Sequence, residues 1–522
     1  MSRTFVKRSP APGQAGPPVV CWGCYGRKRM LKGLEAKGFQ ALREALQRAG
    51  YDDEGLLGTL GPIEVPNRPG RELPYLKHLT RRGRPLDTLI RVFMLGLPVE
   101  EEAARDALGA GLEPCARAGL VGTHGGEVQA RAKLMPFRGL LLAVDQLAHE
   151  EVTARPDQVM GLTYSTIVLA NFTIRQRVSR TLDLGTGCGV QAFLAARHSG
   201  EVVGTDTNPR ALEFAAFNAG LNACPEVRWL EGDGFEPVRG ERFGLVVSNP
   251  PFAISPRRRL AYRDSGVEAD GFARRLIEEA PAPLEEGGFC QIVCDWVHLA
   301  GQDPRERLAA WFEGSGCDAW VLKTGTSEAG EYAHMWIRDT EPARTEEAAQ
   351  RYEEWMSYYA HAGIEAVSTG VIALRRRSGV VNWVRFDDMP EGMAGEFGEA
   401  VVLGFRLRDF LETARADEAL LEGTFRLSPS LRLRQQAAWG QGGWRVETSQ
   451  VGLERGLKFA GNVDRNALAL LQRCDGQRRL REVLAEAAAA LGATPERIAP
   501  QCLALLRRLI ERGYVLPAGW VE

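Results

Sequence analysis

The residues best suited to chemistry lie where short apolar segments run into glycine-rich or proline-rich turns. One such turn closes the segment Leu182–Gly189 and leads at once into a helical pattern. Glycines let the backbone pass close to a ligand, and the first helical turn offers free N–H groups to a negative group. The third glycine stands one place too early for the dinucleotide fingerprint G-x-G-x-x-G, and Asp183 would repel a pyrophosphate. The candidate ligand-binding residues of this turn are Asp183, Gly185, Thr186, Gly187 and Gly189.

Two more aspartates follow the next two predicted strands. Asp206 stands 23 residues after Asp183, where a carboxylate can accept hydrogen bonds from both ribose hydroxyls of a nucleotide. Asp233 lies between two glycines and can accept a hydrogen bond from an adenine amino group. Each aspartate alone is typical of a turn. Together, three acids at successive strand ends predict a nucleotide with an ammonium group and a carboxylate, which S-adenosylmethionine carries.

The fourth predicted strand runs into Asn249, Pro250, Pro251 and Phe252. Two prolines cannot continue a central strand, and they leave the carbonyl of Pro250 free. This carbonyl and the Asn249 side-chain carbonyl can hold both hydrogens of an –NH2 group, while Phe252 stacks on its planar carrier. Such a clamp aims the nitrogen lone pair at a methyl group without a strong base, so catalysis would consist mostly of positioning. We expect these four residues to be catalytic, with Asn249 also bordering the cofactor.

These motifs resemble the class I S-adenosylmethionine-dependent methyltransferases with a small methyltransferase domain. Within that class they look most like the HemK/PrmC type, which methylates the glutamine amide of release factors. The stretches that carry this resemblance are Val190–Ala195, Gly204–Pro209 and Ser248–Pro256. The resemblance covers about 180 of the 522 residues.

The resemblance also implies a place for each candidate residue. It puts Asp183 and Gly185 at the methionine part of the cofactor, Asp206 at the ribose and Asp233 at the adenine. It puts the segment 249–252 at the target nitrogen. A protein glutamine amide, such as that of a release factor, is the preferred acceptor.

Other acceptors stay open. Enzymes that methylate exocyclic amines of RNA or DNA adenine and guanine share the same turn, and a small-molecule acceptor or a protein that lost turnover are further alternatives. The chain is nearly twice as long as a release-factor enzyme needs. Its segment Thr163–Thr166 also differs from the motif of the bacterial branch.

The predicted architecture is α/β, with a Rossmann-like seven-stranded core flanked by smaller domains. The core strands are predicted at 180–184, 201–205, 227–230, 245–248, 289–294 and 319–322. The predicted divisions are a disordered leader at 1–29, a helical, winged-helix-like domain at 30–150, the core at 151–342, a mixed α/β extension at 343–425 and a winged-helix-like domain at 426–522.

Composition narrows the function further. The net charge of −2 gives no global attraction to nucleic acid. No segment predicts a membrane span or a signal peptide, and the scattered cysteines fit a reducing cytoplasm. Cys21 and Cys24 form a lone CxxC without a second pair, so no metal is expected. The arginines at 257–259 and the segment Tyr262–Asp264 are interpreted as parts of a loop over the substrate, of which the arginines either meet a partner or are merely solvated.

Overall fold

The computed structural model describes residues 31–61, 72–146, 155–224, 226–340, 345–390, 395–440, 442–490 and 492–520. The predicted leader and its Cys21–Cys24 pair lie outside these residues. Within the described parts of the chain, no helix is long and apolar enough to cross a membrane.

The N-terminal region consists of helices followed by antiparallel strands. Its helices are α1 (Ala36–Arg48), α2 (Asp53–Leu60), α3 (Leu73–Leu79), α4 (Pro85–Leu89), α5 (Glu101–Leu108) and α6 (Leu112–Ala118), and a π-helical turn at Ile90–Met94 extends α4. Its strands are β1 (Val99–Glu100), β2 (Val121–His124), β3 (Glu127–Ala130), β4 (Ala132–Phe137) and β5 (Leu140–Asp145). A three-stranded sheet has the order β1-β3-β2, and β4 pairs with β5.

The central region holds an eight-stranded sheet. Its strands are β6 (Val178–Leu184), β7 (Ser199–Asp206), β8 (Arg228–Glu231), β9 (Phe243–Ser248), β10 (Leu284–Leu299), β11 (Cys317–Glu328), β12 (Ile364–Arg376) and β13 (Val384–Asp388). The order is β13-β11-β12-β10-β9-β6-β7-β8, and β6 to β10 are mutually parallel. The helices around it are α7 (Tyr164–Phe172), α8 (Val190–Ala195), α9 (Pro209–Leu221), α10 (Gly271–Glu279), α11 (Pro304–Ala309), α12 (Ala329–Thr340) and α13 (Thr345–Ala362).

The α/β class is confirmed, but the sheet is larger than predicted. Strand β12 inserts antiparallel between β10 and β11, and β13 adds an eighth strand beside β11. The core therefore runs to Asp388 instead of stopping at residue 342. The sequence misses this because β12 reaches its place through a long-range antiparallel register, which local periodicity does not encode.

The N-terminal region is joined to the core by two asparagines of α9. Asn218 exchanges hydrogen bonds with both backbone groups of Ala143, and Asn222 does the same with Leu141, at distances of 2.7–3.0 Å. One helix face thereby satisfies the free edge of β5, which otherwise exposes unpaired backbone groups. Phe39 also packs edge-on against Phe217 at 5.2 Å between ring centres. The two regions share one hydrophobic core.

The C-terminal region is mixed. Its helices are α14 (Gly398–Thr413), α15 (Asp417–Leu421), α16 (Arg465–Leu471), α17 (Leu480–Ala490) and α18 (Pro495–Glu511). Its strands are β14 (Thr424–Leu427), β15 (Leu431–Gly440), β16 (Gly443–Leu453), β17 (Ala460–Asn462), β18 (Asp475–Arg479) and β19 (Val515–Pro517). Residues 426–522, for which a winged-helix-like domain is predicted, contain the helices α16, α17 and α18 and the short strand β19. The long hairpin of β15 and β16 was not predicted.

Candidate active site

A cavity of about 1780 Å³ opens at the carboxyl ends of the parallel strands. The predicted site residues from Asp183 to Phe252 line it, except Gly189, as do residues of α2 and the segment 158–168. Ligands of open α/β sheets bind at this edge, because neighbouring loops diverge there. The structure thus brings the two predicted halves of the site together.

The glycine turn after β6 is strained in a way that only glycine tolerates. Gly185, Gly187 and Gly189 have φ values of 71°, 55° and 89°, in the left-handed region. A Cβ at Gly185 or Gly187 would meet no atom within 4 Å, whereas one at Gly189 would reach the Phe193 ring at 2.7 Å. The first two glycines therefore leave space beside the cavity, and the third permits close packing of α8 on the sheet.

Asp183 lies beneath this turn and holds it in place. Its Oδ2 accepts hydrogen bonds from Thr186 Oγ1 at 2.6 Å and from the Ala192 backbone N–H at 2.9 Å. The side chain is buried, and this burial raises its pKa to about 7, although the two hydrogen bonds act in the opposite direction. Asp183 and Thr186 thus fix the conformation of the turn as well as bordering the cavity.

Asp206 connects the same turn to the end of β7. One carboxylate oxygen accepts from the Gly187 N–H at 2.9 Å and the other from the Asn208 N–H at 2.8 Å. Burial raises the pKa of this carboxyl, and both hydrogen bonds lower it. Each oxygen keeps a further lone pair, so the carboxylate can also accept hydroxyl hydrogen bonds.

Asp233 differs from the other two aspartates. Its side chain is 52% exposed, and its two oxygens accept from both terminal nitrogens of Arg275, each at 3.0 Å. These hydrogen bonds raise the pKa of Arg275. From the sequence, we predicted that this carboxylate accepts a hydrogen bond from an adenine amino group. Its arginine partner, which lies in α10, was not predicted.

Asn249 carries an unusual imbalance of hydrogen bonds. Its Nδ2 donates to Thr166 Oγ1 at 3.3 Å, while its Oδ1 is buried and has no hydrogen-bond partner among the described residues. A buried acceptor without a partner costs about 1–3 kcal/mol. Orphaned groups of this kind are rare in folded proteins and call for an explanation. Asn249 has an acceptor ready for an N–H group that the chain itself does not supply.

The orientation of Asn249 is set by the N-cap and first turn of α7. Thr166 Oγ1 also shares a hydrogen bond of 2.8 Å with Thr163 Oγ1, the N-cap of α7. Gln191 donates to the Thr166 backbone carbonyl at 2.9 Å. The segment Thr163–Thr166, which departs from the bacterial motif, therefore positions the Asn249 amide.

An aromatic wall stands opposite, and sequence reasoning missed most of it. Phe252 packs edge-on against Trp336 at 6.3 Å, and Trp336 packs in the same way against Tyr332 at 6.2 Å. Tyr332 donates to Asp295 and accepts from the Ile254 N–H. The i,i+4 spacing of Tyr332 and Trp336 is the one sequence signal that placed both rings on the same helix face.

Asp295 is a second buried carboxyl of the cavity, besides Asp183. It accepts from Thr369 Oγ1 at 2.7 Å and from Tyr332, and burial raises its pKa to about 7. It lies within β10, three residues beyond Ile292, the last residue of β10 that pairs with β9. It was not predicted, because the partners that identify it come from α12 and β12.

The segment after the proline turn is anchored, which corrects the interpretation of a loose loop over the substrate. Arg263 and Asp264 are 1% and 0% exposed and form an ion pair with each other. Asp264 also accepts the backbone N–H groups of Arg259 and Leu260, each at 2.9 Å. These contacts, and the stacking of Arg263 on the Trp355 ring at 5.5 Å, form an internal support for the turn.

The arginines of this segment have separate places. Arg257 forms an ion pair with Glu354 on α13 and remains 71% exposed. Arg258 lines the cavity together with Tyr262. The arginine run is therefore neither a single charged patch nor simply solvated.

Three family models match the chain. Residues 163–302 match the methyltransferase small domain, whereas residues 48–131 and 404–517 match two domains of unknown function. The middle match confirms the resemblance drawn from the glycine turn and the Asn-Pro-Pro-Phe segment. The chain thus contains a methyltransferase small domain of the S-adenosylmethionine-dependent type.

Curated relatives match parts of the chain of 116 to 131 residues. The chain is 36% identical over 129 residues to a release factor glutamine methyltransferase of Xylella fastidiosa, covering 22% of this chain and 47% of that protein. It is 37% identical over 131 residues to a ribosomal protein uL3 glutamine methyltransferase of Bradyrhizobium diazoefficiens, covering 22% and 41%. It is 33% identical over 116 residues to ribosomal RNA small subunit methyltransferase C of Alcanivorax borkumensis, covering 22% and 32%. The chain spans less than half the length of each of these relatives.

Proposed function

We propose that the chain is an S-adenosylmethionine-dependent N-methyltransferase whose acceptor is a glutamine side-chain amide of a protein. The observation that carries this proposal is the buried, unpartnered Oδ1 of Asn249 on the wall of the cavity. A primary amide offers two N–H donors on a planar group, which is what one free acceptor beside an aromatic ring can orient. Two relatives whose names specify glutamine methylation each match 22% of the chain.

The residues of the cavity fit the cofactor. The open space beside Gly185 and Gly187 lets the ligand approach the backbone, and Asp206 has lone pairs left for ribose hydroxyls. When bound, S-adenosylmethionine supplies an electrophilic methyl group on its sulfonium. We assign Asp183 to shaping the turn at the methionine part and Asp233, with Arg275, to the adenine end.

The chain contributes to transfer mainly by orientation. Asn249 Oδ1 accepts one amide N–H, and we assign the second N–H to the carbonyl of Pro250. Phe252 and Trp336 keep the amide plane fixed and exclude water. Holding both N–H groups raises the electron density on nitrogen and leaves the lone pair directed at the methyl group. The nitrogen would be strongly acidic once methylated, so its proton would pass to solvent water and no buried base is required.

The acceptor proposed here belongs to the translation machinery, as a release factor or a ribosomal protein, which places the reaction in the cytoplasm. The N-terminal region contributes Asp53, Leu57 and Gly61 to the cavity wall. Leu57 and Tyr164 are 57% and 68% exposed at this wall. An apolar rim of this kind suits the entry of a protein loop.

A second candidate function is methylation of an exocyclic amine of RNA. The Phe252 ring can stack on a base as well as on an amide, and the chain also matches a ribosomal RNA methyltransferase over 116 residues. The two functions share the clamp and differ only in the carrier of the nitrogen.

The experiment that separates them uses tritiated S-adenosylmethionine and cell extract. After incubation with the protein, one portion is digested with RNase and the other with protease. We expect the macromolecular label to survive RNase and to be lost with protease, and mass spectrometry of a tryptic digest to place the methyl on glutamine. Label that is lost only with RNase would contradict the glutamine proposal and support the RNA amine.

A further inference from the structure

The hairpin of β15 and β16 projects from the C-terminal region with both faces open to solvent. Strand β17 pairs only with Gln450–Gly452 at its base, so the outer part is a two-stranded ribbon. Two-stranded ribbons are marginally stable without a packed face. At the base, by contrast, Val451 is buried. The protruding part therefore contributes little to the hydrophobic core. Its exposed residues need an explanation other than the stability of the fold.

The tip carries a pair of exposed tryptophans. Trp439 and Trp444 are directly paired across the two strands, with ring centres 5.5 Å apart and planes at 75°. They are 70% and 72% exposed. Strand alternation and the observed register place Leu433 and Val446, also half exposed, on the same face. Clustered exposed apolar side chains of this size mark an interaction surface.

The opposite face of the ribbon is basic. Between residues 431 and 453 the charged side chains are three arginines and one glutamate. Arg432 pairs with Glu454 at 2.8 Å, whereas Arg434 and Arg445 have no ion-pair partner in the described part of the chain. The remaining polar side chains of the ribbon are mostly amides and hydroxyls on both faces. Gln435, on the tryptophan face, donates to Ser449 at 3.0 Å.

We propose that this ribbon binds a single-stranded segment of RNA, whose bases stack on the Trp439–Trp444 pair on one face and whose backbone crosses the strand edge to place phosphates at Arg434 and Arg445 on the other. Bases stack on aromatic side chains regardless of sequence, at about 1–3 kcal/mol per base, and arginines neutralise the backbone. The choice of single strands follows from the rings, since only unpaired bases expose a face for stacking.

A protein partner fits this surface less well. Protein hot spots anchor in concave, desolvated pockets, whereas these rings stand on the convex tip of a ribbon with amides and guanidinium groups around them. The choice of RNA over DNA rests on the proposed function, which places the acceptor on the translation machinery, where RNA is the surrounding polymer. The ribbon would then bring the cavity to its acceptor by holding neighbouring RNA.

The test measures binding of fluorescein-labelled oligouridine by anisotropy at several salt concentrations. We expect W439A/W444A to weaken binding at least about tenfold, since two stacking contacts are lost. We expect R434A/R445A to reduce the slope of log affinity against log salt by about 1.4, at about 0.7 per phosphate contact on a single strand. Tyr75→Ala, which removes another ring that is 55% exposed, is the matched control and should bind like the unmodified protein.

Several results would overturn the proposal. They are no binding of oligouridine at low salt, equal binding by W439A/W444A and Tyr75→Ala, or tighter binding of oligothymidine or of a duplex. Failure here is distinguishable from failure of the proposed function. Asn249→Ala should keep oligouridine binding, and W439A/W444A should keep S-adenosylhomocysteine binding in calorimetry.

Discussion

The two halves of the cavity, the glycine turn and the proline turn, differ in how their polar groups are hydrogen-bonded. At the glycine turn, Asp183 and Asp206 each accept two hydrogen bonds from neighbouring residues of the chain. At the proline turn, Asn249 Oδ1 has no partner among the described residues, and the same holds for Trp336 Nε1. The two carboxylates at the glycine turn are thus already hydrogen-bonded within the chain, although Gln191 Oε1 in α8 is also buried without a partner among the described residues. At the proline turn, the Asn249 amide oxygen is left for a substrate to bind. Polar groups that are hydrogen-bonded within the chain stabilise the fold, whereas buried groups without a partner can bind a ligand. The contrast therefore distinguishes residues that act on stability from residues that act on catalysis.

Asn249→Ala should have the largest effect. We expect methyl transfer to fall by about 1000-fold, the cost of losing a group that acts in the transition state, and S-adenosylhomocysteine binding to stay within about twofold. Stability should change by less than about 1 kcal/mol, because the removed acceptor was already unsatisfied. Transfer assays, calorimetry and urea unfolding measure the three quantities.

The matched control is Asn218→Ala, which removes an asparagine whose hydrogen bonds are complete. It should cost about 3 kcal/mol of stability, since it leaves both backbone groups of Ala143 without partners. Full transfer by Asn249→Ala, or equal destabilisation by the two substitutions, would remove the contrast.

The two buried carboxyls should make stability depend on pH. Burial raises the pKa of Asp183 and of Asp295 to about 7, above the value of a free carboxyl. The unfolded chain therefore loses these protons first, so the stability that they contribute is complete below about pH 4 and is lost as pH rises to about 7. Over this range each group lowers the free energy of unfolding by at most on the order of 4 kcal/mol.

Urea unfolding between about pH 4 and pH 8 should reveal this by difference. Asp183→Asn and Asp295→Asn should each remove one group's share of the decline. An unchanged pH profile in both variants would show that neither carboxyl is protonated in the folded protein.

Gly187→Ala tests the role of the glycine turn. A Cβ at φ 55° is strained by about 1–2 kcal/mol and would occupy the open space beside the cavity. We expect S-adenosylhomocysteine to bind about tenfold to hundredfold more weakly, a loss of about 1.4–2.8 kcal/mol. Gly240→Ala, at φ 85° and away from the cavity, should cost similar stability without changing binding. Equal binding by both variants would contradict the place given to the turn.

Thr166→Val should have the smallest effect. It removes the oxygen that accepts from Asn249 Nδ2, so the amide loses its fixed orientation. We expect kcat to fall about tenfold, equivalent to one hydrogen bond of about 1.4 kcal/mol, and cofactor binding to stay unchanged. Thr166→Ser keeps the oxygen and should restore kcat. If Thr166→Val raised KM and left kcat unchanged, Thr166 would instead contribute to acceptor binding.

The sequence was most informative where chemistry and local structure coincide. The glycine turn requires left-handed backbone at 185, 187 and 189, and the prolines at 250 and 251 must end a strand, so both turns are visible without a fold. The three aspartates at strand ends follow from the strand periodicity. Each of these signals lies within a few residues of the group that it positions.

The missed features depend on residues far apart in the chain. Asp295 becomes part of the cavity wall only through Tyr332 and Thr369, which are 37 and 74 residues away. Arg275 reaches Asp233 across 42 residues. Asp264 was predicted to be part of a loop over the substrate. Its role as an anchor was missed because that role depends on the segment folding back onto itself. The place of β12 likewise depends on register with β10 and β11.

The most direct test of this account is a crystal structure with S-adenosylhomocysteine. We predict that its adenosine lies beside Asp206, that its methionine part follows the glycine turn and that its sulfur faces the Asn249 side chain within van der Waals reach. A ligand bound elsewhere, or a sulfur separated from Asn249 by other side chains, would contradict the assignment of the two halves.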